Sequence, residues 1–246
     1  MLDPLIVATV DIHDTESMIR NMAPPYLAEL SAMVSTLGAH VTYYEAKGLS
    51  SENSTSFEDC ALLYLLIRHF NRRSIFEVGT YVGTTAVAMN EAARRNGGTC
   101  TTCDPVNCDA LQPGSGIRFL HEPSNLALAR LRSERQRIDF AFFDWIPDGK
   151  TLALANKVFT SDAILAVHDY KLNPKGEEIV DAINRRYSRI SDGKWFFPSL
   201  SPVEVAPGFR VNVCTAFWIP DRPRSGVAKI LAWRRLLSSA WRPRAN

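Results

Sequence analysis

The sequence lacks the features of membrane and secreted proteins. None of its apolar runs reaches the ~18 residues that a membrane-spanning helix needs. The first four residues, Met1 to Pro4, do not begin the basic, apolar and small-residue order of a signal peptide. We therefore expect a cytoplasmic protein.

Cysteine is scarce as well. The chain of 246 residues has five cysteines, an odd number that does not suggest a disulfide framework. Cys100 and Cys103 have the spacing of zinc ligands, with Cys108 nearby, but they lie in one alternating strand and lack a fourth ligand at a suitable spacing. The sequence favours reduced thiols in the core over a zinc site.

Acidic residues are absent after Asp221, where the tail carries several basic ones. Because the net charge is only +2, the chain before this tail is net acidic. A protein that binds nucleic acid spreads its positive charge over a face of the fold, so we expect no nucleic-acid partner. Residues 227–241 are predicted to form an amphipathic helix, which we expect to dock on the domain or on a second subunit of a homodimer. Contact with a membrane surface is the weaker alternative.

Strands and helices alternate through the middle of the chain. Strands are predicted at 74–78, 99–104, 117–120, 138–143 and 163–167, and helices at 57–70, 84–95, 124–134, 150–159 and 175–189. This alternation predicts βαβ units and a parallel sheet covered on both faces. Two further strands, 194–197 and 211–218, follow without a helix between them and need antiparallel pairing. The predicted fold is α/β and Rossmann-like, with a doubly wound, mostly parallel seven-stranded sheet that ends in an antiparallel hairpin.

The N-terminal region is predicted to be a helical cap with an entry loop. A helix over 24–37 has prolines in its first turn and Gly38 at its end, and a polar loop follows over 43–54. Thr55 and Glu58 have the spacing of a capping box that opens the next helix. We therefore divide the chain into a cap (1–54), an α/β domain (55–220) and a basic tail (221–246).

A glycine turn, Gly79 to Gly83, joins strand 74–78 to a helix that opens at Thr84 and Thr85. Such a turn directs free backbone N–H groups and a positive helix end toward a nucleotide-like ligand. Tyr81 stands where a dinucleotide fingerprint has the glycine that lets pyrophosphate approach the backbone. An adenosine without phosphates avoids this conflict, and S-adenosylmethionine is the common ligand of that kind.

With these motifs, residues 55–220 resemble the class I S-adenosylmethionine-dependent methyltransferases, and within them the small-molecule O-methyltransferases of the catechol and macrocin type. The segment Glu77 to Gly83 looks like the first motif of the family, Asp104 matches the acid that binds ribose, and Ser124 and Asn125 fall where the family contacts adenine. The resemblance implies that S-adenosylmethionine is bound by Glu77, Gly79, Thr80, Tyr81, Gly83, Thr84, Thr85, Asp104, Ser124, Asn125 and Asp144.

Methyl transfer to a hydroxyl needs a base, or a metal that lowers the pKa of the hydroxyl. Asp144 ends strand 138–143, and His168 and Asp169 end strand 163–167. In the catechol-type relatives the corresponding places bind magnesium, so the resemblance implies a divalent metal (Mg or Mn) at Asp144, His168 and Asp169. His168 departs from the family pattern because imidazole is a poor magnesium ligand. Alternatively His168 is the general base, since its ordinary pKa is about 6.5.

A second departure is Pro147, which stands where the catechol-type enzymes have a catalytic lysine; Lys150 is close enough in sequence to substitute. The predicted function is transfer of a methyl group to a hydroxyl of a small-molecule acceptor: a specialised metabolite, a phenol or a sugar. Metal-independent N-methylation is the nearest alternative, because an amine needs no metal. Two alternatives belong to other functional classes. One is a non-catalytic protein that binds the cofactor, and the other is a nicotinamide-dependent reductase, which Tyr81 disfavours.

Overall fold

The protein folds around one large sheet in this computed structural model, which describes residues 8–50, 52, 54–106 and 108–221. The strands are β1 (Ala8–Val10), β2 (Ser74–Val78), β3 (Thr99–Asp104), β4 (Arg118–His121), β5 (Ile138–Phe143), β6 (Phe159–Val167), β7 (Gly193–Phe196), β8 (Val203–Ala206), β9 (Phe209–Val211) and β10 (Ala216–Pro220). The helices are α1 (Ile12–Met22), α2 (Leu27–Glu45), α3 (Phe57–His69), α4 (Thr84–Arg95), α5 (Ser124–Ser133), α6 (Gly149–Val158) and α7 (Pro174–Arg186), with short 3₁₀ turns at Pro24–Tyr26 and Ile190–Asp192.

The strand order in the sheet is β1-β7-β10-β6-β5-β2-β3-β4. Strand β10 is antiparallel to both of its neighbours, β6 and β7, and the other paired strands are parallel. The predicted mostly parallel, doubly wound sheet with an antiparallel end is thus confirmed. The short strand β1, which the sequence did not predict, adds an eighth strand beside β7. Strands β8 and β9 form a separate antiparallel pair.

The strand order reverses between β2 and β5. From this point the chain builds outward through β3 and β4 on one side and through β6 on the other. The carboxyl ends of β2 and β5 are joined directly, since the backbone N–H of Asp144 donates to the carbonyl of Val78 at 2.9 Å. Open α/β sheets bind their ligands in the crevice at such a reversal point.

Two apolar cores cover the faces of the sheet, as the nearly continuous apolar sequences of β5 and β6 predict. Phe140 and Phe142 of β5 are buried with residues of α3 and α4 on one face, whereas Phe143 is buried with residues of α5, α6 and α7 on the other. Side chains of α1 and α2 belong to the first core. Because these helices share a core with the sheet, their packing does not mark a boundary at residue 54, and the division into a cap and an α/β domain stays a prediction.

The predicted helix 24–37 is wrong at its end, because α2 continues through Gly38 to Glu45. A glycine inside a helix costs about 1 kcal/mol. The apolar face outweighs this cost, since Leu37, His40 and Tyr44 are all buried at helical spacing. The entry loop predicted from residue 43 therefore begins only after α2. Helix α1 was not predicted at all; the side chain of Asp11 caps it by accepting from the N–H of His13 at 2.9 Å.

The predicted cap of α3 is wrong in detail. The helix is capped by Ser56 rather than Thr55: the hydroxyl of Ser56 accepts from the N–H of Asp59 at 3.1 Å.

The single strand predicted over 211–218 is divided into β9 and β10. The chain breaks there because three backbone N–H groups, those of residues 213–215, donate to the Asp59 carboxylate instead of to a neighbouring strand.

The amphipathic helix predicted over 227–241 lies outside the described residues. Within the described part of the chain, no helix has the length and apolar character to cross a membrane. All five cysteines are described, and they are buried free thiols.

Candidate active site

The glycine turn after β2 has the conformation that its sequence requires. Gly79 and Gly83 have φ angles of +94° and +79°, and a Cβ at Gly83 would lie 2.5 Å from Leu111 Cδ2. Tyr81 is also left-handed, with φ of 46°. The turn is held against α2, because Nε2 of the buried His40 lies 2.8 Å from the carbonyl oxygen of Val82. Sequence reasoning had not connected His40 with the turn.

Asp104, at the end of β3, binds the turn through its carboxylate. One oxygen accepts from the backbone N–H groups of Thr80 at 2.9 Å and Tyr81 at 3.2 Å, and the other accepts from the N–H of Val106 at 2.9 Å. A carboxylate has about four acceptor sites, so these bonds leave capacity for a further donor such as a ribose hydroxyl.

Glu77 lies beneath the turn and is fully buried. Its carboxyl group accepts from the hydroxyl of Thr102 at 2.6 Å and from the hydroxyl of Thr85. Burial raises the pKa of Glu77 to about 8, although both hydroxyls oppose this change. Glu77 and Thr85 thus tie β2, β3 and α4 together below the surface that a ligand would touch.

A cavity of about 510 Å³ opens at the carboxyl ends of β2, β3 and β5. Six of the predicted cofactor-binding residues line it: Gly79, Tyr81, Asp104, Ser124, Asn125 and Asp144. The other five do not line it: Thr80 and Gly83 belong to the turn, Glu77 lies in β2, and Thr84 and Thr85 open α4. Trp145 and Ile146, both exposed, form part of the rim.

The three residues predicted at the chemical centre come together at the ends of β5 and β6. Nδ1 of His168 lies 3.1 Å from Asp144 Oδ1 and 3.3 Å from Asp169 Oδ1. His168 is 7% exposed, and Asp169 has a left-handed backbone with φ of 60°. Such a conformation is costly for a residue other than glycine and often marks a functional site.

Lys175, which sequence reasoning missed, lies among these side chains. Its Nζ is 2.7 Å from Asp144 Oδ1, 2.8 Å from Asp169 Oδ2 and 3.1 Å from the backbone oxygen of Asp144. All three donors of the ammonium group therefore have an acceptor within the protein. A signal was present in the sequence: Asn173 and Pro174 mark a helix start close after Asp169, which positions residue 175 at the same edge of the sheet.

A second cavity, of about 580 Å³, lies on the other side of this cluster. Its lining includes His168 and Asp169, with polar groups of Ser54, Ser56 and Asn173. Asp144 and Lys175 line both cavities. The two cavities therefore meet at the pair of oppositely charged groups.

Neighbouring groups in the cluster favour the charged forms of His168 and Asp169. Burial alone would lower the pKa of His168, but hydrogen bonds to Asp144 and Cys214 raise it to about 11. Burial favours the neutral form of Asp169, yet His168 and Lys175 outweigh it and lower the pKa of this carboxyl. The site thus contains two carboxylates held by two cationic groups. Nδ1 of His168 lies within 3.3 Å of both carboxylates, which disfavours this nitrogen as the general base.

The implied metal does not fit this arrangement. Asp144, His168 and Asp169 do each offer an atom within 4.8 Å of the others. The Lys175 ammonium, however, is bonded to both carboxylates and occupies the position between them that a cation would take. A divalent ion there would replace those bonds and face a like charge at short range.

A second cluster consists of Asp59, His168 and Cys214, whose potential ligand atoms also lie within 4.8 Å of one another. The Asp59 carboxylate is already used by the protein, because it accepts from three backbone N–H groups and from the hydroxyls of Ser56 and Thr215. Neither of these clusters of described residues is arranged as a metal site.

Lys150 was predicted to substitute for the lysine that the catechol-type enzymes have at the position of Pro147. Its side chain is exposed on the first turn of α6, and it lines neither cavity. The cation at the centre of the site comes from α7 instead.

Comparison with protein-family models and with curated proteins gives no match. Solved structures do resemble the fold. An O-methyltransferase from Bacillus cereus in complex with SAH is 15% identical, with 76% of this chain and 91% of that chain covered and a TM-score of 0.50. A candidate caffeoyl-CoA O-methyltransferase from Staphylococcus aureus is 13% identical, with 80% and 98% covered and a TM-score of 0.53. A protein from Corynebacterium glutamicum is 13% identical, with 78% and 92% covered and a TM-score of 0.51. At these identities the likeness shows the fold alone, a Rossmann-like fold that the two O-methyltransferases share.

Proposed function

We propose that this protein is an S-adenosylmethionine-dependent methyltransferase that transfers a methyl group to a hydroxyl of a small molecule. The observation that carries the proposal is that two cavities share a wall. Gly79, Asp104, Ser124 and Asn125 line the first cavity, which we assign to the donor, and Asp144 lines both this cavity and the second one, which we assign to the acceptor. A donor site and an acceptor site that meet at one carboxylate are what a direct transfer reaction needs.

The proposed donor is S-adenosylmethionine in the first cavity. Asp104 would accept a hydrogen bond from a ribose hydroxyl, and Ser124 and Asn125 would contact the adenine. The side chain of Tyr81 lines the same cavity and disfavours a pyrophosphate, so a nicotinamide dinucleotide is the weaker candidate.

The proposed reaction is a displacement in line with the bond between sulfur and the methyl carbon. When bound, S-adenosylmethionine would supply the methyl group: the acceptor oxygen would bond to the methyl carbon as the carbon–sulfur bond breaks, and the sulfur would keep the electron pair of that bond. The proton of the hydroxyl passes to a carboxylate oxygen of Asp144, which lines both cavities. His168 and Lys175 hold that carboxylate in position through bonds of 3.1 and 2.7 Å.

An amine acceptor is the alternative, because the poor fit of a metal removes one reason to prefer a hydroxyl. Mass spectrometry of a labelled product, followed by mild hydrolysis or fragmentation, distinguishes an O-methyl from an N-methyl group. An acceptor screen containing both phenols or sugars and amines therefore tests this part of the proposal.

The donor part is tested by calorimetric titration with S-adenosylmethionine. Loss of the charged acceptor in D104A should weaken binding by about 1.5–3 kcal/mol, or roughly 10- to 150-fold. D181A, which removes an exposed acid on α7, is the matched control and should bind as the wild type does. Equal binding by D104A and the wild type would contradict the assignment of the first cavity to the donor.

A further inference from the structure

We propose that the ammonium of Lys175 is a built-in replacement for the divalent cation of this site, so that the protein positions Asp144 and Asp169 without a metal. Lys175 is thus a positioning residue that acts through the two carboxylates. The role in methyl transfer rests on the proposed function, whereas the exclusion of metal can be tested without it.

The contacts of Lys175 are those of a central cation rather than of a surface lysine. Its ammonium bridges carboxylates that belong to the ends of two different strands, β5 and β6, with distances of 2.7 and 2.8 Å. Only about a quarter of the side chain is exposed (26%). Two carboxylates this close repel each other unless a cation lies between them. Lys175 supplies that cation from the protein itself.

The backbone around Lys175 is shaped to bring it there. The side chain of Asn173 caps α7 by accepting from the N–H of Lys175 at 2.8 Å. At the next position, a Cβ on Gly176 would lie 2.5 Å from the backbone carbonyl of Asp169. The helix can therefore begin in contact with Asp169 only because residue 176 is glycine. The cap at Asn173, the close approach at Gly176 and the left-handed backbone of Asp169 together place Lys175 beside the two carboxylates.

Lys171 provides a comparison within the same connection between β6 and α7. Its Nζ lies 5.8 Å from the centre of the Tyr170 ring, and it lines neither cavity. Both residues are lysines of one short segment, but Lys175 alone of the two touches the carboxylates. K171A is therefore the matched control for K175A.

The experiment is a titration with Mn²⁺, followed by electron paramagnetic resonance of the free ion, on purified full-length protein. The wild type and K171A should bind no stoichiometric Mn²⁺. K175A should bind one ion, with affinity at least about tenfold above that of the wild type, which corresponds to ~1.4 kcal/mol. K175A combined with D169N should lose this binding again, because one of the ligands is gone.

Stoichiometric Mn²⁺ binding by the wild type would overturn the inference, and so would a folded K175A that binds Mn²⁺ no better than the wild type. If K175A does not fold, the titration of the wild type alone decides. Circular dichroism of each variant establishes which of these cases applies.

Turnover adds a second readout once an acceptor is found. Methyl transfer by the wild type should be unchanged in EDTA, and K175A should lose activity that Mn²⁺ partly restores. Loss of wild-type turnover in EDTA would overturn the inference. If the wild type does not bind S-adenosylmethionine, the proposed function fails, but the Mn²⁺ titration still tests the replacement of the metal.

Discussion

Glu77 is an acid that the fold buries completely, with the hydroxyls of Thr85 and Thr102 as its partners. Burial raises its pKa to about 8, compared with 4.5 for the ordinary group. Between these two pH values the folded state holds a proton that the unfolded state has lost. Folding stability contributed by Glu77 is therefore greatest below about pH 4.5 and decreases as pH rises toward 8.

Replacing Glu77 with glutamine should remove this pH dependence. The amide keeps the shape and can bond to both threonines, but it cannot ionise. Relative to the wild type, E77Q should lose less free energy of unfolding as pH rises from 5 to 8, by up to about 1.4 kcal/mol per pH unit. Urea denaturation at several pH values measures the difference, and E91Q, which removes a carboxylate from α4, is the control. Parallel stability curves for E77Q and the wild type would contradict the prediction.

The sequence predicted four residues of the site, because each lies at the end of a parallel strand and such ends meet at one edge of a sheet: Asp104, Asp144, His168 and Asp169. Lys175 ends no strand. Asn173 and Pro174 indicate that a helix starts at this edge of the sheet, but the contact of Lys175 with the carboxylates depends on the left-handed turn at Asp169. Local patterns do not specify how a loop directs the side chain that follows it.

At the scale of elements, the N-terminus of α3 fixes the connection that leads into β10. Asp59, in the first turn of this helix, is fully buried and accepts from the N–H groups of Val213, Cys214 and Thr215. The positive end of the helix favours the negative charge of this carboxylate. The connection in turn lines the second cavity through Val213 and Cys214.

Removal of this carboxylate should destabilise the protein strongly. D59A would leave the backbone N–H groups of Val213 and Cys214 without their acceptor, whereas that of Thr215 also donates to Asn212 Oδ1 at 3.0 Å. Each orphaned group costs about 1–3 kcal/mol, so we expect the free energy of unfolding to fall by at least about 2 kcal/mol in urea denaturation. E58Q removes another acid from the same helical turn and should cost at most about 1 kcal/mol. A D59A variant as stable as E58Q would show that the connection is held by other contacts.

The elements that were predicted well are those with strong local signals. Strands β2, β3 and β5 and helix α4 have the predicted bounds. The sequence marks β5 as a short apolar run, and it marks the end of α4 by the Asn–Gly pair that follows Arg95. Errors arose where a tertiary contact overrides a local signal. Gly38 does not end α2, because the helix packs on α4, and residues 211–218 do not form one strand, because Asp59 takes their N–H groups.

At the scale of the whole molecule, the two cavities lie over the reversal point of the sheet and are lined by segments from distant parts of the chain. The first cavity uses the ends of β2, β3 and β5, and the second adds residues around the start of α3 and before β10. Ligand binding should therefore stabilise the fold as a whole rather than one segment.

Cofactor-linked stability tests both the fold-wide coupling and the class of ligand. The demethylated product S-adenosylhomocysteine should bind the folded state alone, and at 100 times its Kd it should add about 2.7 kcal/mol to the stability. For a chain of this size, each kcal/mol raises the melting temperature by about 2–4 °C. Thermal unfolding with increasing S-adenosylhomocysteine should show this rise, whereas NAD and Mn²⁺ should leave the midpoint unchanged. A rise with NAD alone would favour a nicotinamide-dependent enzyme, because Tyr81 would then accommodate the pyrophosphate that its side chain is expected to exclude.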